Sequence, residues 1–334
     1  MHGGSKHNMS IQKVIKYIMK EVIRAGVIGV GYLGRFHARI YNDMEGVDLV
    51  GVADTDRQTA DRVASDYDTR ALYDPMDLLD EVDVVSVVVP TSLHRQVAIP
   101  YLEKGIHMLL EKPVASTLDD AKLIVETARK HGATLQIGHL ERFNAGIMAL
   151  ADQVNEPRFI EAHRLGPFVE RATDVDVVTD LMIHDIDIIL SLVGDKLTSI
   201  SATGTPVLTD HVDIANARLE FANGAVANVT ASRVSNKKFR RIRVFGRNSY
   251  RAINFVDQQL EVAYPGKTPE GQNFPEIVYE THSISPTQPL DAELAHFIDV
   301  VRRGGRPLVT GEDGMEALRV AMLVTDIIDA SNAD

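Results

Sequence analysis

The segment between residues 180 and 190 carries a histidine and two carboxylates among apolar residues. On a regular helix, Asp180, His184 and Asp187 stand at positions i, i+4 and i+7, so they would form one polar stripe. Such a stripe is costly to bury unless it is used. It suits a histidine that takes the proton of an alcohol while a carboxylate holds its orientation. A core histidine satisfied by nearby aspartates, or a structural metal pair, would give the same pattern.

A glycine-rich motif follows the first apolar run of the sequence. It matches G-x-G-x-x-G and precedes a helical stretch that runs from Arg35 to Met44. The first glycine permits a tight turn, the second lets the backbone approach a pyrophosphate, and the third lets the helix pack closely on the strand. The phosphates would lie at the helix N-terminus. The residues expected to contact a dinucleotide are Gly29, Gly31, Tyr32, Leu33 and Gly34.

Asp54 is the second sign of a dinucleotide site. It stands twenty residues after Gly34, at the end of a predicted strand, where a carboxylate would hydrogen-bond both hydroxyls of the adenosine ribose. The same charge would repel a 2′-phosphate, so the pattern favours NAD. Arg57 is close enough in sequence to pair with a 2′-phosphate, which keeps NADP as the less favoured cofactor. The alternative is a glycine turn followed by an incidental surface aspartate.

Polar residues also follow two later strands of the same region. In an open parallel sheet the ligand lies outside the carboxyl ends of the strands. We therefore expect Pro90, Thr91 and His94, as well as Glu111 and Lys112, to contact the cofactor. Burial beside a cationic nicotinamide would lower the pKa of Lys112 and suit it to proton transfer or hydrogen bonding at a substrate hydroxyl. A solvated loop lysine is the alternative.

Alternating apolar and helical segments from Val22 to about Gln136 predict a doubly wound parallel sheet, a Rossmann domain. Asp74 before Pro75 indicates a helix start, and Thr117 with Asp120 resembles a capping box. The predicted strands are Val22–Ile28, Val47–Ala53, Val84–Val89, His107–Leu110 and Thr134–Ile137.

The second half of the chain has a different pattern. Short alternating segments from Arg158 to Val262 predict a large, mostly antiparallel sheet, with Asn223-Gly224 as a hairpin turn, in an α+β domain. The stretch from Pro265 to Pro289 is rich in proline, glycine and polar residues and predicts a long loop or crossing segment. Strands are expected at 215–221, 225–232 and 241–245, and helices at 180–192, 291–302 and 314–330.

Length and composition set broad limits on the function. A chain of 334 residues favours two domains, which we place at residues 21–140 and 141–334 after an extension of residues 1–20. The net charge of -12 makes nucleic acid an unfavourable partner, although a few local arginines could still bind an anionic substrate. The chain has no cysteine, which excludes thiolate metal sites and thiol nucleophiles, and we expect no metal.

The sequence predicts neither a transmembrane span nor a secretory signal. The longest apolar run, from Val84 to Val89, is too short to cross a membrane, and the first twenty residues lack an uninterrupted apolar stretch. We therefore expect a cytoplasmic protein. Ile11, Val14, Ile15 and Ile18 indicate a short amphipathic helix, either packed on its own domain, lying at a membrane surface, or preceding the true start of the protein.

Taken together, these motifs resemble the Gfo/Idh/MocA oxidoreductase family from Val22 onward. The resemblance implies that Lys112 and His184 flank the reacting carbon near the nicotinamide, that Asp180 assists, and that hydride passes to C4 of NAD. It also implies a homodimer or homotetramer built through the exposed face of the C-terminal sheet. Ser92 and Met182 depart from residues common in the family, asparagine and glycine, and could reshape the pocket. The motifs that carry the resemblance are the loop at Gly29, Pro90-Thr91 to His94, Glu111-Lys112-Pro113, Arg142-Phe143-Asn144 and Asp180 to His184.

Within the family, the segments 138–144 and 180–185 look most like dehydrogenases that oxidise the 3-hydroxyl of UDP-N-acetylglucosamine or of its uronic acid. Arg142 and Arg164 could bind the diphosphate or carboxylate of such a substrate bidentately, and we expect Asn144 to contact it too. Surface arginines paired with Glu141 or Glu161 are the alternative. Other readings of the function are an inositol or free-sugar dehydrogenase and a non-catalytic regulator that senses NAD or sugar.

Overall fold

A computed structural model describes residues 22–169, 175–255, 257–285 and 287–332 of the chain. The amphipathic helix predicted in the first twenty residues lies outside them. Internal contacts divide the chain into two units: the first runs up to Leu110 and includes Thr127–Leu135, and the second comprises Glu111–Glu126 and the chain from Gln136 onward. The boundary that we predicted at residue 140 stays a prediction.

The N-terminal part contains a six-stranded sheet in the order β3-β2-β1-β4-β5-β6. The pairs that β1 makes with β2 and β4, and the pairs β2–β3 and β4–β5, are all parallel. This confirms the predicted doubly wound Rossmann fold, with the strand order reversing beside β1. The elements are β1 (Ile23–Ile28), α1 (Gly34–Asp43), β2 (Val47–Ala53), α2 (Arg57–Asp66), β3 (Arg70–Leu72), β4 (Val84–Val87), α3 (His94–Glu103), β5 (His107–Glu111), α4 (Leu118–His131) and β6 (Leu135–Gly138).

Two local predictions in this part need correction. The three-residue strand β3 was not predicted, because it is too short for an alternating pattern to show. Asp74 does cap the next element by accepting a bond from Met76 N at 2.8 Å, but that element is a single 3₁₀ turn, Pro75–Leu78. The cap at Thr117 is confirmed, since its Oγ1 accepts a bond from Asp120 N at 3.2 Å.

The second unit contains an eight-stranded sheet in the order β14-β13-β12-β11-β7-β10-β9-β8. Its described pairs are antiparallel except for β7–β10, which confirms the predicted mostly antiparallel sheet. Gly224 adopts φ +80° in the hairpin between β9 and β10, as the Asn-Gly turn predicts. The elements are α5 (Ala145–Ala151), β7 (Phe159–Leu165), α6 (Ile183–Val193), β8 (Leu197–Thr205), β9 (Ile214–Phe221), β10 (Val226–Ser232), β11 (Phe239–Gly246), β12 (Ser249–Asn254), β13 (Gln259–Pro265), β14 (Ile277–Ser283), α7 (Pro289–Arg303) and α8 (Gly311–Asn332).

Helices α6 and α8 pack against the inner face of this sheet and form the core of the unit. Inward side chains alternate along β9 and β10, and many of them are alanines, which lets the helices lie close to the strands. The core therefore places α6, which carries His184, directly over the sheet.

The predicted loop from Pro265 to Pro289 is wrong in part, because it contains the edge strand β14. Nearly every side chain of β14 is exposed, so the strand lacks the alternation of buried and exposed residues on which the prediction depended. No helix in the described ranges is long and apolar enough to cross a bilayer.

Candidate functional site

The glycine turn between β1 and α1 has the geometry of a phosphate cradle. Gly29 has φ +83°, and a Cβ on Gly34 would lie 1.8 Å from the Gly29 carbonyl oxygen, so neither position accepts a side chain. A Cβ on Gly31 would meet nothing within 4 Å. The first turn of α1 has no side-chain cap, and Tyr32 is two-thirds exposed beside it. The turn therefore offers open space and uncapped helix N–H groups to an anion.

The Asp54 carboxylate lies beside this turn, where the prediction needs it. It accepts hydrogen bonds from Val30 N and from Asp56 N, both at 2.9 Å. Arg57 stacks on the ring of Tyr73, with its guanidinium carbon 4.1 Å from the ring centroid. The residues of the turn and of β2 thus fit the pyrophosphate and ribose of a dinucleotide.

The residues after β4 and β5 that we predicted to contact the cofactor differ in their exposure. Pro90 is exposed and Thr91 begins a short 3₁₀ turn. His94 is 1% exposed and its Nε2 bonds to the Val89 carbonyl at 3.0 Å, which holds the chain after β4. Glu111 is also buried, with its carboxylate pressed against Gly138. Both residues are buried, and cofactor contact by them stays a prediction.

Lys112 and Asp180 come together in the second unit. The Lys112 ammonium donates a hydrogen bond to the Asp180 carbonyl at 2.9 Å and lies 3.8 Å from the Asp180 carboxylate. The two side chains are 19% and 33% exposed, so both can reach solvent. Lys112 is followed by a cis peptide bond to Pro113. The contacts with Asp180 hold the Lys112 ammonium in place, unlike that of a fully solvated loop lysine.

A π-helical turn, Val178–Met182, holds Asp180 and precedes α6. The Asp176 carboxylate caps it by accepting bonds from Val178 N at 2.7 Å and Thr179 N at 2.8 Å. The regular helix begins only at Ile183, so the helix predicted from residue 180 starts with part of a π turn. Asp187 pairs with Arg142 at 3.5 Å, and burial raises its pKa to about 7. Single π turns occur frequently at functional sites.

His184 is held as a neutral imidazole. Burial first, and then the charge of Lys112, lower its pKa well below the usual value. Among the residues that the structure describes, its buried Nδ1 has no hydrogen-bond partner, so the predicted orienting carboxylate is absent there. The ring contacts His139 edge-on, with centroids 6.1 Å apart. Nε2 is therefore the nitrogen that a ligand could meet, and it is free to accept a proton.

Arg164 and Asn144 are engaged inside the protein. Arg164 is 3% exposed and binds Asp185 through two bonds of 2.8 and 2.9 Å, with a third bond of 2.8 Å to Glu141. The Asn144 carboxamide oxygen accepts a bond from Gly146 N at 2.9 Å and caps α5. These polar groups have protein partners, and their predicted substrate contacts stay predictions. The expected pairing of Arg164 with Glu141 is present, although it is buried.

Arg142 contacts a different carboxylate of α6, that of Asp187. Its Nη1 is 3.5 Å from Asp187 and its Nη2 is 3.4 Å from the Leu308 carbonyl. It lines a cavity of about 340 Å³ together with Asp187, Asp313 and Glu316. With its side chain 13% exposed and weakly held, Arg142 could still meet a small polar ligand.

Arg240 is a site residue that the sequence reasoning missed. It stands opposite Arg164 in the β11–β7 pair, its Nη1 is 3.2 Å from Glu141, and its side chain is 32% exposed. Burial first, and then Arg164, lower its pKa. Its charge also acts on His184. The sequence contained a signal: Arg240 has the same parity as the apolar Ile242 and Val244 and therefore lies on their face of the strand, where a cation is unusual.

Comparisons with known proteins agree with this geometry. Residues 23–139 match the family described as oxidoreductase family, NAD-binding Rossmann fold, and residues 125–250 match the GFO/IDH/MocA C-terminal domain. The chain is 36% identical over 310 residues to UDP-N-acetylglucosamine 3-dehydrogenase from Acidithiobacillus ferrooxidans, covering 92% of this chain and 98% of that protein. A solved structure of that dehydrogenase superimposes with a TM-score of 0.86 over the same shares of the two chains. A scyllo-inositol 2-dehydrogenase (NAD(+)) from Bacillus subtilis is 27% identical, covering 92% of this chain and 94% of that protein.

Proposed function

This chain belongs to the Gfo/Idh/MocA oxidoreductase family, and we propose that it is an NAD-dependent dehydrogenase that oxidises the 3-hydroxyl of a UDP-N-acetylhexosamine. The observation that carries the proposal is the cluster of Lys112, Asp180 and His184, in which an ammonium and a neutral imidazole share one neighbourhood. A regulator without catalysis would not need both groups.

We assign different roles at the substrate hydroxyl to His184 and Lys112. Oxidation of a secondary alcohol removes a hydride from carbon and a proton from oxygen. His184 accepts the proton through Nε2, because its imidazole is neutral at physiological pH. Lys112 donates a hydrogen bond to the hydroxyl oxygen and stabilises negative charge that develops there. Asp180 holds the Lys112 ammonium in place by its carbonyl and carboxylate.

NAD, when bound, supplies C4 of its nicotinamide as the hydride acceptor. The residues of this chain that would hold it are the glycine turn for the pyrophosphate and Asp54 for the ribose hydroxyls. The Asp54 carboxylate, at the place where NADP would carry its 2′-phosphate, favours NAD. Thr91 and the exposed Pro90 would border the cofactor at the end of β4.

The nucleotide part of the substrate would meet Arg240 and Lys238 at the start of β11. Both charges act on Glu141, which itself binds the buried Arg164, and Lys238 is exposed. A partly exposed guanidinium beside His184 suits an anionic group attached near the reacting carbon. The relative named UDP-N-acetylglucosamine 3-dehydrogenase supports a nucleotide sugar over a free sugar.

The experiment is to incubate the purified protein with NAD and either UDP-N-acetylglucosamine or its uronic acid and follow NADH by absorbance. We expect NADH with one of these sugars, and loss of at least about a hundredfold in kcat for Lys112→Met and for His184→Asn. Thermal shift with NAD controls for folding, since both variants should still be stabilised by it. If NADH forms with scyllo-inositol and with neither UDP-sugar, the substrate is an inositol, as the name of the Bacillus relative suggests, and the nucleotide-sugar proposal is wrong. No NADH with either class would contradict catalysis.

We also propose that the protein forms a homodimer or homotetramer through the exposed face of the eight-stranded sheet. Its outer strands expose large apolar side chains, including Tyr264, Ile277 and Tyr279. Light scattering after size exclusion measures the oligomer, and Tyr279→Glu should dissociate it. A monomeric wild type would contradict this.

A further inference from the structure

Arg233 is a buried arginine that the proposed reaction does not use. It directly follows β10 and is 6% exposed. Its Nη2 donates one hydrogen bond to the Val175 carbonyl and another, at 3.4 Å, to the Val212 carbonyl. A guanidinium can hold several oxygens at once, because its N–H donors are fixed in one plane. Arg233 therefore joins two backbone segments that lie far apart in the sequence.

Asp213 supplies the opposite charge that allows Arg233 to be buried. Its carboxylate is fully buried, and its Oδ1 lies 3.4 Å from Arg233 Nε. The two residues face each other where β9 begins and β10 ends, and Arg233 N donates to the Asp213 carbonyl at 3.0 Å. The other carboxylate oxygen, Oδ2, accepts bonds of 2.8, 2.6 and 2.9 Å from the N–H groups of residues 207–209. Removing one partner of a buried ion pair is costly, so the pair fixes the place of the guanidinium.

The segment that Arg233 holds leads into the π-helical turn, Val178–Met182. Val175 lies three residues before this turn, and Val177 N donates to the Val212 carbonyl at 2.9 Å. The first N–H groups of a helical turn have no partner within it, so its start depends on contacts with other groups. The carboxylate of Asp176, in the same segment, satisfies two of them. Arg233 and Val212 attach this segment to the ends of β9 and β10.

We propose that Arg233 is a positioning residue for Lys112 that acts through the π turn. The turn carries Asp180, whose carbonyl accepts the hydrogen bond of the Lys112 ammonium at 2.9 Å. A shift of the turn would move this acceptor and the ammonium with it. A displacement of about 1 Å at a group that contacts the substrate can cost roughly a hundredfold in rate. The inference rests on the proposed function only where it concerns catalysis, because the attachment of the turn is a property of the fold.

Hydrogen–deuterium exchange tests the attachment without the reaction. Peptides that span residues 175–182 report the N–H groups at the start of the turn. We expect Arg233→Met to speed their exchange at least about tenfold, because the turn opens more easily without the guanidinium. Arg158→Met is the matched control, since Arg158 also donates to a backbone carbonyl, that of Asn223 at 3.1 Å, but at the opposite end of β9 and β10. Unchanged exchange in Arg233→Met, or an equal change in the control, overturns the proposal.

A second variant covers the case in which Arg233→Met does not fold. Arg233→Lys keeps a charge beside Asp213, but its single nitrogen replaces three and cannot make the ion pair and both carbonyl contacts in the same geometry. We expect a melting temperature close to that of the wild type together with faster exchange of the same peptides. Where only this variant folds, wild-type exchange in it overturns the proposal.

Steady-state kinetics tests whether Arg233 acts through Lys112. We expect Arg233→Met to lower kcat roughly tenfold and to leave KM for NAD within about twofold, because the glycine turn is unchanged. In the Lys112→Met background the same substitution should lower kcat by less than about twofold, since the ammonium that the turn positions is gone. Equal losses in the two backgrounds would overturn the role through Lys112. If the wild type oxidises no sugar, the proposed function fails, while the exchange experiment still decides whether Arg233 holds the turn.

Discussion

At the scale of single residues, His184 owes its proposed role to what surrounds it. A histidine that accepts a proton must be neutral beforehand, and here burial, aided by the charges of Lys112 and Arg164, disfavours the imidazolium. The same charges would favour a nearby alkoxide. One arrangement of cations therefore prepares the base and stabilises the oxygen from which it takes the proton.

The pH dependence of kcat/KM should report this state of His184. Activity is lost when the base is protonated, that is, as the pH falls through its pKa. Because that pKa lies below the ordinary value, we expect the acid limb below about pH 6.5. The limb should disappear in the residual activity of His184→Asn and stay in His163→Gln, which removes another partly buried histidine. A limb above neutral pH would argue against His184 as the base.

Arg240 should determine affinity for the nucleotide and leave the chemical step alone. We expect Arg240→Ala to raise KM for the UDP-sugar by roughly tenfold or more, with a smaller change in kcat, because a charged hydrogen bond to a phosphate is lost. Lys237→Ala is the control, since Lys237 is an exposed lysine in the loop before β11. Equal KM values for the two variants would remove Arg240 from the substrate site.

At the scale of elements, the glycine turn was predictable because its requirements are local. The strand, the three glycines and the helix occupy consecutive positions, so the sequence contains the whole motif. Arg164 and Asn144 show the opposite case. Arg164 finds Glu141 and Asp185 only after β7 and α6 pack together, and no spacing in the sequence encodes that choice. The π turn at 178–182 could not be predicted from helical periodicity either. A π turn contains more residues than an α-helical turn, but it uses the same residue types.

Two glycine variants should separate folding from cofactor binding in this turn. Gly34→Ala should destabilise the protein by about 3 kcal/mol or more, because its Cβ would overlap the Gly29 carbonyl oxygen. Gly31→Ala should change the free energy of unfolding by less than about 0.5 kcal/mol, because its Cβ would meet no protein atom within 4 Å. The same Cβ would occupy the space proposed for the phosphates, so we expect NAD binding to weaken at least about tenfold. Urea unfolding without cofactor and calorimetric titration with NAD measure the two effects. Unchanged NAD affinity in Gly31→Ala would show that the phosphates bind elsewhere.

At the scale of the whole molecule, the fold class followed from periodicity, while the outer strand of the second sheet did not. β14 lies at the sheet edge with both faces exposed, so burial imposes no pattern on it. The buried ionisable groups could not be predicted from the sequence either. Glu293, His139 and Asp187 are common residue types, and only their burial in the folded protein makes them unusual. Those groups give the stability of the folded protein a distinct dependence on pH.

His139 and Asp187 should act on stability in opposite directions. The pKa of His139 is lowered to about 3, so between about pH 6.5 and 3 the unfolded chain binds a proton that the folded protein refuses, and stability falls as the medium becomes more acidic. The pKa of Asp187 is raised to about 7, so the folded protein binds its proton first and gains stability over the upper part of the same range. Single variants can therefore separate the two. His139→Gln should lose about 2 kcal/mol less than the wild type between pH 7 and pH 5 in urea unfolding. Asp187→Asn should lose more than the wild type over that interval, because the opposing contribution is gone. If the free energy of unfolding of both variants changes with pH as that of the wild type does, these two groups are not buried as the structure shows them.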